Sequence, residues 1–267
     1  SDLLEFCILA NDSYRSGSPI VSDENYDFIF IPELQKRLPH QPFLQKVESE
    51  SEGFSDEKIK LPEKMLSTDK AYTWKEIEKW LERISKFSEE INVQLSEIQI
   101  KGTAKLDGFA GYDDGKKLYT RGDGNKGSDI SRVFQRGLCI LNDSERGQGP
   151  GEIVVKRSYF EDHLSNDFEY PRNFQASLIK EKELDKFARD AIDAKAALFV
   201  PFKQLPFWKG NIDEFKNQFL DIVIMLEEGV DFDIDGVVFE IVNPELKEFM
   251  GSNRKFHRWQ TAYKENK

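Results

Sequence analysis

The spacing of apolar residues along the chain predicts two amphipathic helices. The first follows a capping box, in which Glu76 comes three residues after Thr73, and the second spans Ile212–Glu228 and ends before Gly229. In both, apolar side chains recur every three or four positions, as one face of a helix requires. These positions are Ile77, Trp80, Leu81, Ile84 and Phe87 in the first helix, and Phe215, Phe219, Ile222, Val223 and Leu226 in the second.

Between and after these helices, short apolar or alternating runs indicate β-strands. The runs are EIQIKGTAKLDGFAGY, KKLYTRG, GEIVVK, ALFVPFK and IDGVVFEIV. The DDGK stretch Asp113–Lys116 predicts a hairpin turn, and Asn142–Gly151 has the composition of a loop. Strands mixed irregularly with helices predict an α+β fold of antiparallel sheets flanked by helices, not a doubly wound fold.

The N-terminal part of the chain has a different, helical pattern. Residues 1–57 are predicted to form a small helical subdomain, and residues 58–267 a larger second domain. Ser22 is the expected N-cap of one helix, and Pro32 falls inside the helical pattern, so we expect a kink or an interruption there. The polar run Glu48–Lys58 has the composition of a linker.

Composition narrows the class of protein. Of the 267 residues, 39% are apolar and 33% are charged, as in a soluble globular chain, and no apolar run approaches the roughly 18 residues of a membrane span. The N-terminus does not resemble a signal peptide, so we expect a cytoplasmic protein without a membrane partner. Cys7 and Cys139 are too few and too far apart for a disulfide framework or a zinc site.

The charge balance bears on nucleic-acid binding. The chain has 38 Lys and Arg against 49 Asp and Glu, a net charge of −11. Domains that bind a phosphate backbone through their overall charge are usually basic. We therefore expect this chain to bind nucleic acid poorly by itself, unless a local basic patch or another module provides the contact.

The candidate chemistry begins at Lys105, in the strand-like stretch TAKLDGFAG. A single strand lysine is most often a surface residue, but a buried or charge-coupled amine can act as a nucleophile. Gly108 and Gly111 leave room beside it for a ligand or for another backbone segment. Arg121, in the glycine-rich TRGDG that follows, can donate to a phosphate or a ribose.

Three further stretches add candidate residues downstream. Glu152 stands at the start of the strand-like GEIVV, Asp235 at the start of another in DIDGVV, and Lys264 lies in RWQTAYKE near the end of the sequence. Each residue alone is adequately explained as a strand-end carboxylate, a turn residue or a solvated lysine. The order and spacing of the whole set are the specific signal.

The ordered set K-x-D-G, T-R-G-D-G, G-E, D-G-V-V and R-W-x-x-A-x-K resembles the covalent nucleotidyltransferases, which include DNA and RNA ligases and mRNA capping enzymes. The longer matches KLDG…TRGDGxxGxDIS, PRN, IDGVV, RWxxAYK, MLSTDKAY and the N-terminal Y…SDxxYD are most similar to the NAD-dependent DNA ligases. The resemblance implies a nucleotidyltransferase domain of the ligase (ATP-grasp-like) type behind a helical subdomain, and a monomer.

The resemblance also implies a reaction. Lys105 would attack the α-phosphorus of NAD, releasing nicotinamide mononucleotide and forming AMP-lysine for later transfer to the 5′-phosphate of a DNA nick. Lys264 would contact the α-phosphate, Asp107 and Arg121 would complete the catalytic set, and Mg²⁺ would assist. NAD is thus the expected co-substrate, and neither a zinc site nor a set of protein metal ligands is expected in this chain.

The remaining matched residues are implied to bind the two halves of NAD. The residues implied for the AMP half are Ser67, Thr68, Thr103, Glu152 and Asp235, with Val237 and Val238 under the adenine and Phe202 on its other face. The residues implied for the nicotinamide mononucleotide half are Tyr14, Asp23, Tyr26 and Asp27, which would select NAD over ATP.

Several positions depart from the family pattern. Thr103 stands where the family usually has a glutamate, and Glu240 where it usually has a lysine. These departures resemble viral or phage branches and keep two alternatives open: a catalytically degenerate module that only binds nucleotide or DNA, and an ATP-using or RNA-joining ligase. Contacts with nicked duplex DNA are expected through modules outside this sequence, so the chain would adenylate itself but seal nicks poorly.

Overall fold

A computed structural model of the chain describes residues 2–15, 20–22, 25–45 and 58–265. The chain divides into two compact units, and each unit is made from two separate stretches of sequence. The first unit contains Ser1–Met65 and Gly108–Gln204, and the second contains Leu66–Asp107 and Leu205–Lys267. The predicted boundary between residues 57 and 58 borders the segment 46–57, which also holds most of the predicted linker and lies outside the described residues.

The second unit contains a five-stranded sheet. Its strand order is β10-β3-β11-β12-β2, and every pair is antiparallel except β12 and β2, which run parallel at one edge. The strands are β2 (Ser67–Ala71), β3 (Gln99–Leu106), β10 (Phe207–Asn211), β11 (Ile234–Ile241) and β12 (Phe256–Tyr263).

Among the described residues, three α-helices belong to this unit, and all three contribute side chains to the apolar core on the sheet. They are α3 (Trp74–Glu90), α8 (Ile212–Glu228) and α9 (Pro244–Met250). Thr73 and Glu76 form the predicted capping box of α3, and α8 has the predicted bounds and a second capping box from Asn211 and Glu214. The predicted apolar faces of α3 and α8 meet Ile100 of β3 and alternate residues of β11 in one core, which confirms both helices.

The first unit contains a second five-stranded sheet, with the order β5-β4-β8-β9-β7. Again only the edge pair, β7 with β9, is parallel. The strands are β4 (Phe109–Asp113), β5 (Leu118–Thr120), β7 (Cys139–Ile140), β8 (Gly149–Val155) and β9 (Ala197–Pro201), and a small separate sheet pairs β1 (Ile59–Lys60) with β6 (Lys126–Gly127).

In the part of this unit that the structure describes, four α-helices contribute residues to the apolar core of the sheet. They are α4 (Arg132–Gln135), α5 (Arg157–His163), α6 (Pro171–Lys180) and α7 (Lys186–Asp193). The predicted hairpin turn is confirmed, because β4 and β5 pair antiparallel on either side of it. The predicted loop Asn142–Gly151 is too long: its last three residues begin β8, where Gly149 and Gly151 pair with Asp113 and Gly111 of β4.

Most of the described N-terminal residues are helical, as predicted. They form α1 (Asp2–Arg15), a π-helical turn at Tyr26–Phe30 and α2 (Ile31–Arg37). The hydroxyl of Ser22 accepts a hydrogen bond from the backbone N–H of Asn25, in keeping with its predicted capping role. The interruption expected at Pro32 is a change of helix type: the N–H of Ile31 bonds to Tyr26 O, five residues back, and α2 then contains the proline in its first turn.

The structure confirms the α+β class and adds the parallel edge pair that each five-stranded sheet contains. Within the described ranges, no helix has the length and apolar character needed to cross a lipid bilayer.

Candidate functional site

Three predicted site residues meet at one carboxylate in the second unit. The Nζ atom of Lys105 lies 2.7 Å from Oδ2 of Asp235, and the Nζ atom of Lys264 lies 2.8 Å from Oδ1 of the same side chain. The Lys264 side chain is 9% exposed, that of Asp235 16% and that of Lys105 28%, so only Lys105 retains substantial access to solvent.

The strand order explains why these three residues meet. β11 lies between β3 and β12, so Asp235 on β11 has Lys105 on one neighbouring strand and Lys264 just beyond the end of the other. Side chains alternate along β3: Ala104 and Leu106 are buried, whereas Thr103 and Lys105 share the opposite, half-buried face. The backbone N–H of Lys264 donates to Ala71 O in β2, which fixes the chain just after β12.

A local irregularity in β11 helps to position the Asp235 carboxylate. The register between β11 and β3 shifts between Ile234 and Val237, as it does at a β-bulge. Gly236, inside this bulge, has φ +111°, and a Cβ atom there would lie 2.3 Å from Tyr263 O. The Asp-Gly sequence is therefore required here because only glycine fits both the backbone conformation and the close approach of β12.

The electrostatics of the three residues favour an ionised Asp235. Burial by itself raises the pKa of this carboxyl, but the charges and hydrogen bonds of Lys105 and Lys264 outweigh that effect and hold its pKa well below the usual range. The arrangement is thus a carboxylate bound by two ammonium groups, with a net charge of +1 at neutral pH. Such a pair of positively charged groups suits a phosphate ligand.

In the first unit, the predicted Glu152 is held against the glycine of the KLDG motif. Its Oε1 atom accepts a hydrogen bond of 3.3 Å from the backbone N–H of Gly108. A Cβ atom on Gly108 would lie 2.2 Å from Ile153 O and 2.9 Å from Cγ of Glu152. The space that the sequence predicts beside Gly108 is therefore filled by β8. Glu152 lies in the middle of β8, not at its start, and pairs with Ala110 and Val200.

Two further predicted residues of the first unit lie directly after strands. Arg121 follows β5, is 8% exposed, and donates its backbone N–H to Ala110 O. Phe202 follows β9 in a short 3₁₀ turn and is half-buried. The tight turn after Arg121 requires glycine, since Gly122 has φ +54° and its Cβ would lie 1.9 Å from Lys126 O.

The other residues predicted for the AMP half lie in the second unit. Val238 pairs with Thr103, whereas Val237 is fully buried in the core, so the structure does not bring the two valines to the same face. Ser67 and Thr68 begin β2 and are half-buried. Asp107 follows β3 and donates its backbone N–H to Asp233 O.

The residues predicted for the nicotinamide half lie in the helical part. Tyr26 is 9% exposed and packs in a small core with Cys7, and its hydroxyl donates to the carbonyl oxygen of Cys7 at 3.2 Å. Tyr14, in the last turn of α1, and Asp27, in the π-helical turn, are both half-buried. Asp23 lies outside the described residues.

The arginine of the PRN motif has no role that the sequence alone predicts. Arg172, in the first turn of α6, is 6% exposed, and its guanidinium contacts Tyr14, Phe109 and the backbone of Gly108. A buried arginine is rare enough to indicate a specific task. Sequence alone did not show the burial, because arginine beside a helix N-terminus is usually exposed.

The donor set for a metal ion is limited. Among the residues that the structure describes, no group of three or more His, Cys, Asp or Glu side chains could hold one, and both oxygens of Asp235 bind lysines. Mg²⁺ usually keeps several waters and binds through one or two carboxylates plus substrate phosphates. The described residues do not form a protein cage for Mg²⁺, and its part in the reaction stays a prediction.

The α+β fold, with mixed and antiparallel sheets and a helical N-terminal part, is consistent with a nucleotidyltransferase-like ligase domain. A sequence profile of the NAD-dependent DNA ligase adenylation domain matches residues 54–196. The chain therefore belongs to the NAD-dependent DNA ligase adenylation domain family.

Individual relatives match over the full length of the chain. It is 59% identical over 266 residues to the DNA ligase of Ruthia magnifica subsp. Calyptogena magnifica and 50% identical over 266 residues to that of Desulfotalea psychrophila. Each alignment covers 100% of this chain but only 43% and 39% of the respective relative, so the chain spans less than half the length of these proteins. The expected viral or phage placement stays a prediction.

Proposed function

We propose that this chain carries out the first step of NAD-dependent DNA ligation. The neutral amine of Lys105 attacks the α-phosphorus of NAD, a nitrogen–phosphorus bond forms, and the bond to the departing nicotinamide mononucleotide phosphate breaks. Lys105, an ammonium ion in its pair with Asp235, gives one proton to solvent before the attack and a second as the nitrogen–phosphorus bond forms. The products are AMP-lysine and the nicotinamide mononucleotide anion. The observation that supports this proposal most directly is the convergence of Lys105 and Lys264 on Asp235.

The residues of the second unit have distinct tasks in this proposal. Asp235 orients both lysines through its two oxygens, so that the amine of Lys105 and the charge of Lys264 are held in place before NAD binds. Lys264 contacts the α-phosphate and stabilises the negative charge that spreads over its oxygens in the transition state. Positioning and charge stabilisation are the main contributions that a protein makes to phosphoryl transfer.

The other predicted residues keep their proposed roles in binding NAD. Glu152 binds the ribose, Phe202 and Val238 contact the adenine, and Tyr14 and Asp27 bind the nicotinamide half. An aromatic ring and a carboxylate both complement the cationic nicotinamide, which supports NAD rather than ATP as the co-substrate. The full protein would pass the AMP to the 5′-phosphate of nicked DNA, and its contacts with DNA would lie outside this chain. The reaction would take place in the cytoplasm.

The direct test is the intact mass of the purified chain after incubation with NAD and Mg²⁺. We expect a gain of one AMP with NAD, no gain with ATP, and no gain in Lys105→Ala. Lys101→Ala is the matched control, because Lys101 lies on the same strand and outside the proposed site. A chain that is free of AMP at the start and gains none with NAD would contradict the proposal.

A second candidate is a nucleotide-binding module without chemistry. Glu240 lies on the same face of the sheet as Thr103 and accepts a hydrogen bond from Gln260 at 3.4 Å, so a carboxylate stands where the family has a lysine. This candidate predicts saturable NAD binding by calorimetry with no covalent adduct. An adduct formed from ATP, or joining of nicked RNA by a longer form, would favour the ATP-using or RNA-joining alternative.

A further inference from the structure

One guanidinium in the first unit contacts Tyr14, which is proposed to bind the nicotinamide half of NAD, and Gly108, whose N–H donates to the proposed ribose residue Glu152. The Nη1 atom of Arg172 donates to Gly108 O at 2.8 Å, and its Nε atom donates to Tyr14 O at 3.1 Å. The same guanidinium lies 4.7 Å from the centre of the Tyr14 ring and 4.8 Å from the centre of the Phe109 ring. At 6% exposure it is well shielded from water.

The contact with Tyr14 fixes the end of a helix. Tyr14 is the second-last residue of α1, and the carbonyl groups in the last turn of a helix have no partner within the helix. Arg172 supplies a donor to one of these carbonyls and a positive charge that complements the helix dipole. It also lies over the Tyr14 ring, which restricts the ring as well as the backbone.

The contact with Gly108 reaches the proposed ribose residue through one peptide group. The carbonyl oxygen of Gly108 accepts from Arg172, and its N–H donates to Glu152. No side chain at position 108 intervenes, because a Cβ there would collide with Ile153 O. Arg172 is therefore connected to Glu152 by two hydrogen bonds in series and to Tyr14 directly.

From these contacts we infer that Arg172 is a positioning residue that fixes Tyr14 relative to Glu152, and so sets the distance between the nicotinamide and ribose contacts of NAD. The expected effect of Arg172 on adenylation rests on the proposed function. The contacts by which Arg172 holds Tyr14 and Gly108 do not depend on it. Arg172 acts through Tyr14 and Gly108, and we assign it no contact with the reacting atoms.

The test measures adenylation rate against NAD concentration for Arg172→Gln. We expect the NAD concentration for half-maximal rate to rise about tenfold, the effect of losing about one well-formed hydrogen bond, with the maximal rate within about threefold. The control is Arg132→Gln, because Arg132 donates to Ile179 O at the other end of the same helix and should leave both parameters unchanged.

Two variants separate positioning from folding. Tyr14→Leu removes the ring but keeps the backbone carbonyl that accepts from Arg172, and it should also raise the half-maximal NAD concentration. Adding Arg172→Gln to Tyr14→Leu should give a smaller further rise than Arg172→Gln gives alone, because Arg172 then has no Tyr14 ring to position. Arg172→Lys, which keeps the charge but not the forked donors, should lie between wild type and Arg172→Gln. A lower maximal rate with unchanged NAD dependence, or additive effects in the double variant, would overturn the inference.

Hydrogen exchange keeps the inference testable if the chain forms no AMP adduct. Amides of α1 should exchange faster in Arg172→Gln than in Arg132→Gln, whether or not NAD reacts. Failure of adenylation in the wild-type chain would count against the proposed function alone. Equal exchange of α1 in the two variants would count against the role of Arg172 alone.

Discussion

Lys105 and Asp235 are 130 positions apart in the sequence, and their side chains are joined by an ion pair of 2.7 Å. The contact depends on the antiparallel pairing of β3 with β11 and on the bulge at Gly236. Both the reactivity of Lys105 and the stability of this part of the second unit should therefore respond to changes at Asp235.

Replacing Asp235 should affect rate and stability together. In Asp235→Asn the two lysines lose the carboxylate that orients and neutralises them, so we expect adenylation to slow by about 100-fold and the free energy of unfolding to fall by about 3 kcal/mol. Single-turnover adenylation and urea unfolding measure the two effects. Asp221→Asn, on the exposed side of α8, is the control and should change neither. Wild-type stability in Asp235→Asn would show that the ion pairs contribute nothing.

The difference in unfolding free energy between wild type and Asp235→Asn should decrease at acidic pH. The pKa of Asp235 is lowered in the folded chain, so the folded state binds the proton less readily than the unfolded chain does. The advantage of wild type over Asp235→Asn should be fully present above about pH 4, the ordinary aspartate value, and should decrease as pH falls further. Urea unfolding of both proteins from pH 7 to pH 3 tests this, and a difference that grows on acidification would contradict it.

The bulge in β11 should not tolerate a side chain at Gly236. Gly236→Ala places a Cβ 2.3 Å from Tyr263 O at φ +111°, so we expect a loss of about 3 kcal/mol in unfolding free energy and slower adenylation, because Asp235 is displaced. Gly115→Ala is the matched control: its φ is +92°, but the nearest atom to its Cβ is 3.4 Å away. Gly115→Ala should lose only about 1 kcal/mol of unfolding free energy and should keep the wild-type adenylation rate. Equal losses would mean that backbone conformation, not the approach of β12, requires the glycine.

A buried ion pair in the first unit should affect stability without affecting chemistry. Asp113 is fully buried and accepts hydrogen bonds from Arg146 and from the backbone of Gly115 and Gly147. Asp113→Ala should lower the unfolding free energy by about 3 kcal/mol.

Below its unfolding transition, the same variant should adenylate at the wild-type rate. The control is Asp143→Ala, because Asp143 pairs with Lys195 at an exposed site and should change little. Slow adenylation by fully folded Asp113→Ala would contradict this prediction and would show that the β4–β5 hairpin contributes to the reaction.

The sequence was sufficient to predict the elements whose packing is local. The helix beginning after Thr73 and the helix Ile212–Glu228 were predicted because their apolar faces and capping residues lie within a few positions of one another. The proposed site residues are likewise recognisable as an ordered set of short motifs. That these residues form one functional site is inferred only from the family resemblance, because each residue alone has an ordinary structural explanation.

The sequence was not sufficient where distant backbone segments meet. The parallel pairing of β2 with β12 leaves no local pattern, because edge strands of either direction have similar composition. The same holds for Arg172, whose burial depends on Tyr14 and Phe109 from two other segments. The opposite faces of Val237 and Val238 follow from the alternation of side chains along a strand, which the resemblance to the family does not take into account.

The interleaved path of the chain has a consequence for its synthesis. The last residue of the first unit is Gln204, whereas the sheet of the second unit needs β12, which ends at Tyr263. As the chain leaves the ribosome, the first unit can complete its fold while β2 and β3 still lack their partners β11 and β12. Lys105 therefore emerges well before Asp235 and Lys264, so a chain arrested between Gln204 and Asp235 would hold a finished first unit and a Lys105 without its ion-pair partner.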